Sequence, residues 1–169
     1  MSAAGSAPVA IRPFTDADWP AIWPIIRDIV QAQETFAYDP AMSEAQARDL
    51  WIEAPPGQTV VARAGPQLLG TAKMGANRAG PGAHVATASF MVATSARGRG
   101  VGSALCRHAL VWAREQGFAG MQFNAVVESN HAAVTLYQRL GFEIVGTVPG
   151  AFAHPVLGRV GLHVMYRPV

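Results

Sequence analysis

Residues Val92-Ala93-Thr94-Ser95-Ala96-Arg97-Gly98-Arg99-Gly100-Val101-Gly102-Ser103 leave an extended apolar run and enter a helical one. Upstream, His84 to Val92 reads as a strand. Downstream, Leu105, Ala109, Trp112 and Ala113 recur on one helical face as far as Gly117. Glycines at 98, 100 and 102 let successive N–H groups turn toward one point with no Cβ in the way. The helix start adds unpaired donors and partial positive charge. Such a strand–loop–helix junction is a seat for a phosphate or pyrophosphate. Arg97 and Arg99 can add charge-assisted bonds to the same anion. Gly98 and Gly100 begin a dinucleotide fingerprint, but its last glycine position holds Ser103. The lysine of a Walker loop is absent. What stands here is Arg97-x-x-Gly100-x-Gly102, which taken alone also fits a glycine turn with no ligand.

The remaining patterns give the junction its setting. Val9 to Arg12 alternates as a first strand, and Thr15 can cap a helix carrying Trp19, Ile22, Trp23, Ile26, Ile29 and Val30 on its apolar positions, with a kink expected at Pro24. Ser43-Glu44-Ala45-Gln46 has capping-box spacing and opens a second helix through Trp51, ended by Pro55-Pro56-Gly57. Thr59–Arg63, Leu68–Met74 and His84–Val92 are joined by short Gly/Pro turns, which favours an antiparallel meander. After the glycine loop and its helix come a strand over Met121–Val127, a helix capped by Asn130 and closed by Gly141, and strands over Phe142–Val148 and Val160–Tyr166. Residues 1–8 read as a flexible tail and 9–169 as one domain. The fold class is α+β: a mixed, mainly antiparallel sheet of six to seven strands, helices on both faces and one parallel crossover near the middle.

Composition narrows the function classes. Half of the 169 residues are hydrophobic and 14% are charged, which excludes a disordered chain. Thirteen basic residues against eleven acidic ones give a net charge of +2, without the basic stripe of a nucleic-acid binder. One cysteine, Cys106, allows neither an internal disulfide nor a cysteine-based zinc site, and its place in an apolar helix reads as a buried thiol. No run reaches the length of a membrane span, and the first residues have no secretory pattern, so a cytoplasmic protein without bound metal is expected.

The glycine loop is followed by Asn130-His131-Ala132-Ala133-Val134-Thr135-Leu136-Tyr137-Gln138-Arg139-Leu140-Gly141-Phe142. Through the pair Arg-x-x-Gly-x-Gly and Asn-x-x-Ala-x-x-Leu-Tyr-x-x-x-Gly-Phe, the chain resembles the GNAT acyltransferase superfamily, most clearly from Val85 to Phe142. The resemblance implies acetyl-CoA as cosubstrate, with the backbone of Arg97, Gly98, Arg99, Gly100, Val101, Gly102 and Ser103 holding its pyrophosphate. It implies that Phe90, Met91 and Val92 pair with the pantetheine arm like an added strand, beside a strand that splays away. An N–H near Met91 would stabilise the thioester oxyanion. Asn130 would contact the cofactor while capping its helix, and Tyr137 would protonate the departing thiolate. A tyrosine on the stripe with Leu136 and Leu140 also fits a core role.

The acceptor site is less constrained. An ammonium must lose a proton before it attacks, so a base is expected. Glu34, His84, Glu128 and His154 are candidates, and Glu34 is preferred because Glu34-Thr35-Phe36-Ala37-Tyr38 lies between the first two helices. That region covers the acceptor pocket in GNAT proteins, and the segment looks like the phosphinothricin-acetyltransferase-like branch, whose acceptors are small amino acids and analogues. Glu34 can alternatively bind the acceptor's ammonium. Phe36, Tyr38 and Trp51 can wall the pocket, the loop Pro149-Gly150-Ala151-Phe152-Ala153-His154-Pro155 can close it, and Arg63 or Arg159 can meet a carboxylate. The branch often carries an acid on the central strand, where this chain has Thr87-Ala88-Ser89.

The expected activity is N-acetylation of a small-molecule primary amine by direct attack in a ternary complex, in a protein that forms a homodimer and binds neither nucleic acid nor membrane. The alternatives are acetylation of a protein or peptide amine, an acyl-CoA sensor without turnover, and a nucleotide binder, which the missing Walker lysine disfavours.

Overall fold

The computed structural model describes residues 8–169. Of the expected tail, residues 1–7 lie outside the described residues. Strand β1 (Ala10–Pro13) leads into a short 3-10 turn at Asp16–Asp18, entered through a capping box between Thr15 and Asp18, and then into α1 (Trp19–Ala32). Thr15 thus caps the turn before the helix, and the helix runs on through Pro24 to Ala32. Helix α2 (Glu44–Trp51) starts where the sequence places it: Ser43 Oγ accepts from the Gln46 amide at 3.2 Å and Gln46 Oε1 accepts from the Ser43 amide at 2.9 Å.

Strands β2 (Gln58–Ala64), β3 (Gln67–Ala76) and β4 (Val85–Val92) form the antiparallel meander. Helix α3 (Val101–Glu115) crosses over to β5 (Gly120–Val127), which is parallel to β4. Helix α4 (His131–Arg139), with Asn130 Oδ1 accepting from the Ala133 amide at 3.3 Å, then leads to β6 (Glu143–His154) and β7 (Gly158–Pro168). The seven strands are ordered β1-β2-β3-β4-β5-β7-β6.

Alternation sends successive side chains to opposite faces. Val60, Ala62, Ala72, Ala86 and Met121 pack with Val101, Leu105, Ala109 and Trp112 of α3 on one face. Val61 and Met91 join Ile22, Ile26, Val30 and Trp51 on the other. The sheet is therefore covered by helices on both sides. Gly70 marks where α3 sits down on β3: a Cβ there would lie 2.8 Å from the Met91 carbonyl and 3.2 Å from Val101. No helix among the described residues is long and apolar enough to cross a membrane.

One element departs from expectation. The segment Pro149–Pro155, read as a loop, belongs through His154 to β6. The ladder with β7 is interrupted between Val148 and Phe152 and resumes from Phe152↔Val160 to His154↔Gly158. Pro149 sits in that interruption on the outermost strand, where its missing N–H costs no ladder bond.

Candidate active site

Strands β4 and β5 pair only at Val85↔Gly120 and Ala86↔Met121, and beyond these they part. On the far side of β5 its register with β7 shifts between Phe123 and Val126, leaving Asn124 and Ala125 exposed in a bulge that bends the strand. The parting opens a cleft of about 710 Å³ that runs from the 34–38 segment, along β4, to the start of α3.

The backbone of β4 faces this cleft in alternation. The Ala93 amide donates to the Leu69 carbonyl at 2.8 Å, and the Val85 carbonyl accepts from the Asn77 amide at 2.8 Å, so odd-numbered residues of β4 turn their backbone toward β3. The His84 carbonyl accepts from the Ala119 amide beside β5, so even-numbered residues turn the other way. Phe90 and Val92 therefore present free N–H and C=O groups to the cleft. The N–H of Met91 is committed to β3, and its side chain is buried under α1 and α2. The free N–H groups nearest Met91 are those of its neighbours Phe90 and Val92.

At the other end, Gly98 (φ 75°) and Gly100 (φ 77°) adopt the left-handed conformation that turns the loop into α3. The Arg97 and Arg99 amides close local turns onto the Thr94 and Ala96 carbonyls at 3.3 Å each, and the first helical bond is Ala104 to Gly100 at 3.0 Å. The amides of Gly98, Gly100, Val101, Gly102 and Ser103 are left without an acceptor among the described residues. No side chain caps the helix. Arg97 lines the cleft; Arg99 is exposed and does not, which narrows the expected anion seat. Ser129 Oγ, also on the cleft wall, is buried without a partner among the described residues. Free amides, one cationic side chain and an orphaned hydroxyl fit a diphosphate-bearing acyl carrier laid along β4.

Tyr137 and Asn130 line the same cleft. The Tyr137 ring is boxed by Phe123 at 4.6 Å, Phe142 at 5.9 Å and Phe90 at 6.2 Å between centroids. Burial first, and Cys106 second, hold its phenol well above the ordinary value, so it stays protonated at neutral pH. Tyr137 thus packs among core aromatics and borders the cleft with the same side chain.

The acceptor candidates divide. Glu34, exposed, with Phe36, Tyr38 and His154, lines the cleft mouth. His154 Nδ1 accepts from the Val156 and Leu157 amides at 3.1 and 3.2 Å, which occupies the lone pair a base would use. Glu128 Oε1 accepts from the Gly161 amide at 2.7 Å and serves to tie the end of β5 to β7. His84 is exposed at the paired end of β4, away from the cleft lining. Trp51 lies behind the pocket: it is buried, its Nε1–H donates to Thr71 Oγ1 at 3.0 Å, and it meets Phe36 edge-on at 6.2 Å. Arg63 reaches the Pro66 carbonyl and Asp18, and Arg159 is exposed on β7; neither borders the cleft. Cys106 is buried, and burial pushes its thiol up to about 12, so it is no nucleophile. Sequence reasoning passed over Ser89 and Phe123, whose alternation marked them only as strand residues.

Comparison with known proteins agrees with this architecture. A family profile described as Acetyltransferase (GNAT) family matches residues 23–142. The chain superimposes on a GCN5-related N-acetyltransferase from Kribbella flavida with a TM-score of 0.93 and 57% identity, covering 95% of this chain and 98% of that one. It superimposes on a phosphinothricin acetyltransferase from Sinorhizobium meliloti in complex with AcCoA with a TM-score of 0.84 and 25% identity, covering 95% and 88%. It is 32% identical over 145 residues to an L-methionine sulfoximine/L-methionine sulfone acetyltransferase of Pseudomonas paraeruginosa, covering 83% of each chain. It spans 40% of the length of N-acetyltransferase aca1 of Schizosaccharomyces pombe and 13% of Protein SPT10 of Saccharomyces cerevisiae, matching each with half of its own residues.

Proposed function

Because this chain belongs to the GNAT acetyltransferase family, whose acyl donor is acetyl-CoA, we propose that its domain, residues 9–169, acetylates the primary amine of a small amino acid or amino-acid analogue by direct attack in a ternary complex. The observation that carries the reading is the opening between β4 and β5, with free amides at one end and Tyr137 on its wall.

In this reading the amides of Gly98 and Gly100 to Ser103 hold the diphosphate, helped by Arg97 and the α3 dipole. Phe90 and Val92 pair their free backbone groups with the pantetheine amides, and one of their N–H groups meets the thioester oxygen as charge gathers on it. Asn130 and Ser129 contact the carrier at the start of α4. Tyr137 gives its phenolic proton to the departing sulfur. Glu34, Phe36, Tyr38 and His154 receive the acceptor at the mouth, Glu34 through the charge of the incoming ammonium. His154 does so as a donor through Nε2–H, the tautomer its Nδ1 contacts impose. The small-amine acceptor is supported by the relative named for methionine sulfoximine and sulfone.

A homodimer paired along β6 belongs to the same reading. That strand is outermost and exposed, and its Val145 and Val148 are 68% and 55% exposed, an apolar edge suited to a second copy. A cytoplasmic setting, where acetyl-CoA is available, completes it.

The test is thiol release from acetyl-CoA with amino acids, their sulfoximine and sulfone analogues, polyamines, aminoglycosides and peptide N-termini, beside calorimetry of cofactor binding. Turnover confined to amino-acid-like acceptors supports the reading. Turnover with peptide amines alone overturns the acceptor class, and binding without any release overturns the enzyme in favour of a sensor. Sedimentation that finds only monomer removes the dimer.

A further inference from the structure

A second recess, of about 400 Å³, adjoins the cleft on the face of the sheet that carries α1 and α2. Tyr38, Thr87 and Ser89 line both spaces, whereas Glu53 and Lys73 line the recess alone. The register sets Lys73 of β3 directly opposite Ser89 of β4. Glu53 follows the end of α2, where its amide donates to Thr59 Oγ1 at 3.0 Å. Its Oε1 lies 3.5 Å from Lys73 Nζ, which is itself held by the Leu50 carbonyl at 2.7 Å and by the Trp51 ring. Burial first raises the Tyr38 phenol, and the nearby Glu53 charge adds to the rise while Ser89 opposes it. These groups therefore line one polar recess, which reaches Ser89, the neighbour of Phe90.

The other bases compare poorly. The central strand carries no carboxylate at Thr87-Ala88-Ser89. His154 and Glu128 are occupied by backbone amides, His84 is remote, and Glu34 is exposed at the mouth. Within the recess the titratable groups facing Glu53 are Lys73 from β3 and Tyr38 from the segment after α1; β5 contributes the neutral Asn124.

Resting on the acetyltransferase reading above, we propose that Glu53 takes up the proton shed by the acceptor's ammonium, through the Ser89 and Tyr38 hydroxyls and bridging water. The ammonium becomes an amine as the proton passes to the Glu53 carboxylate. The amine nitrogen then bonds to the acetyl carbon while the carbon–sulfur bond breaks, and the sulfur leaves with the Tyr137 proton. The second proton of the attacking nitrogen goes to the tyrosinate, which restores Tyr137. Glu53 returns its proton to solvent through the open recess, so one ammonium and one thioester give one amide, one thiol and one proton. Glu53 acts through other groups and is a positioned proton acceptor; Lys73 orients it.

The test is the pH profile of kcat/KM for one accepted amine, measured for wild type and for Glu53→Gln, with acetyl-CoA affinity read by calorimetry. With the proton acceptor gone, only acceptor that is already neutral reacts. The variant falls on the order of 100-fold at pH 7. Its profile then climbs about tenfold per pH unit toward the amine's own pKa and converges on wild type, while acetyl-CoA affinity is unchanged. A loss that is constant at every pH, or no loss, overturns the proposal. Ser89→Ala, which removes the relay hydroxyl, gives the same steepened profile. Should Glu53→Gln fail to fold, Ser89→Ala decides, and a profile of wild-type shape overturns the proposal. A wild-type enzyme that releases no thiol with any amine overturns the acetyltransferase reading, and this assignment with it.

Discussion

The rings of Phe123 and Tyr137 lie 4.6 Å apart at 54°, and Phe123 in turn stacks on Phe142 at 4.3 Å. A strand residue and a helix residue are thereby locked into one aromatic block, which fixes where the phenol meets the cleft. Tyr137→Phe keeps this packing and removes only the proton. It should lower kcat by roughly 10- to 1000-fold and leave acetyl-CoA affinity nearly unchanged. Steady-state kinetics beside calorimetry checks this, and unchanged turnover would falsify the acid assignment. The raised phenol also predicts that any loss of activity from its ionisation falls on the alkaline side, above the ordinary range for tyrosine.

Gly100 has φ 77°, and no atom lies within 4 Å of the point where a Cβ would stand, so a side chain there meets strain without collision. Gly100→Val should weaken acetyl-CoA binding about tenfold through roughly 1–2 kcal/mol of left-handed backbone strain, which the loop relieves by moving its amides. Wild-type affinity in the calorimeter removes the loop from the anion site.

Asp18 is buried, and its carboxylate accepts two 2.7 Å bonds from the Arg12 guanidinium. Those bonds, outweighing burial and joined by Thr15, hold it down at about 2 against an ordinary 3.8. A depressed folded-state pKa stabilises above the unfolded value and is lost as pH falls through the folded one. About 1–2 kcal/mol should therefore disappear between roughly pH 5 and 2, a figure discounted because Arg12 is partly exposed. Denaturant midpoints at pH 6 and pH 3 should differ less for Asp18→Asn than for wild type. Equal pH sensitivity in both proteins counts against this linkage.

Cys106 should resist alkylation in the folded protein and react only on unfolding, since burial both shields the sulfur and holds it in the thiol form up to about 12. Cys106→Ala should cost on the order of 1 kcal/mol in packing and leave turnover intact. A large loss of kcat without loss of stability would instead indicate an acyl-cysteine route.

Much of this architecture is legible in local signals. The Ser43 and Asn130 caps, the glycine junction and the alternation of β2 to β5 each need only a few neighbouring residues to be read. Three features need the folded chain. The run of β6 past Pro149 depends on β7 lying on one side and no strand among the described residues on the other, so a Pro-Gly pair that reads as a turn becomes an interruption in an edge strand. Which β4 residues free their backbone depends on register with β3, which turns the Met91 N–H toward β3 and those of Phe90 and Val92 toward the cleft. Glu53 carries no motif at all: it gains meaning because the segment after α2 folds back beside Ser89.

The two-pair contact between β4 and β5 has a mechanical consequence. Four strands on one side and three on the other are stitched at one end only, so the sheet behaves as two plates joined at a corner. A pantetheine arm laid in the seam would supply the missing rungs, and the loaded protein should then be stiffer than the empty one across its centre.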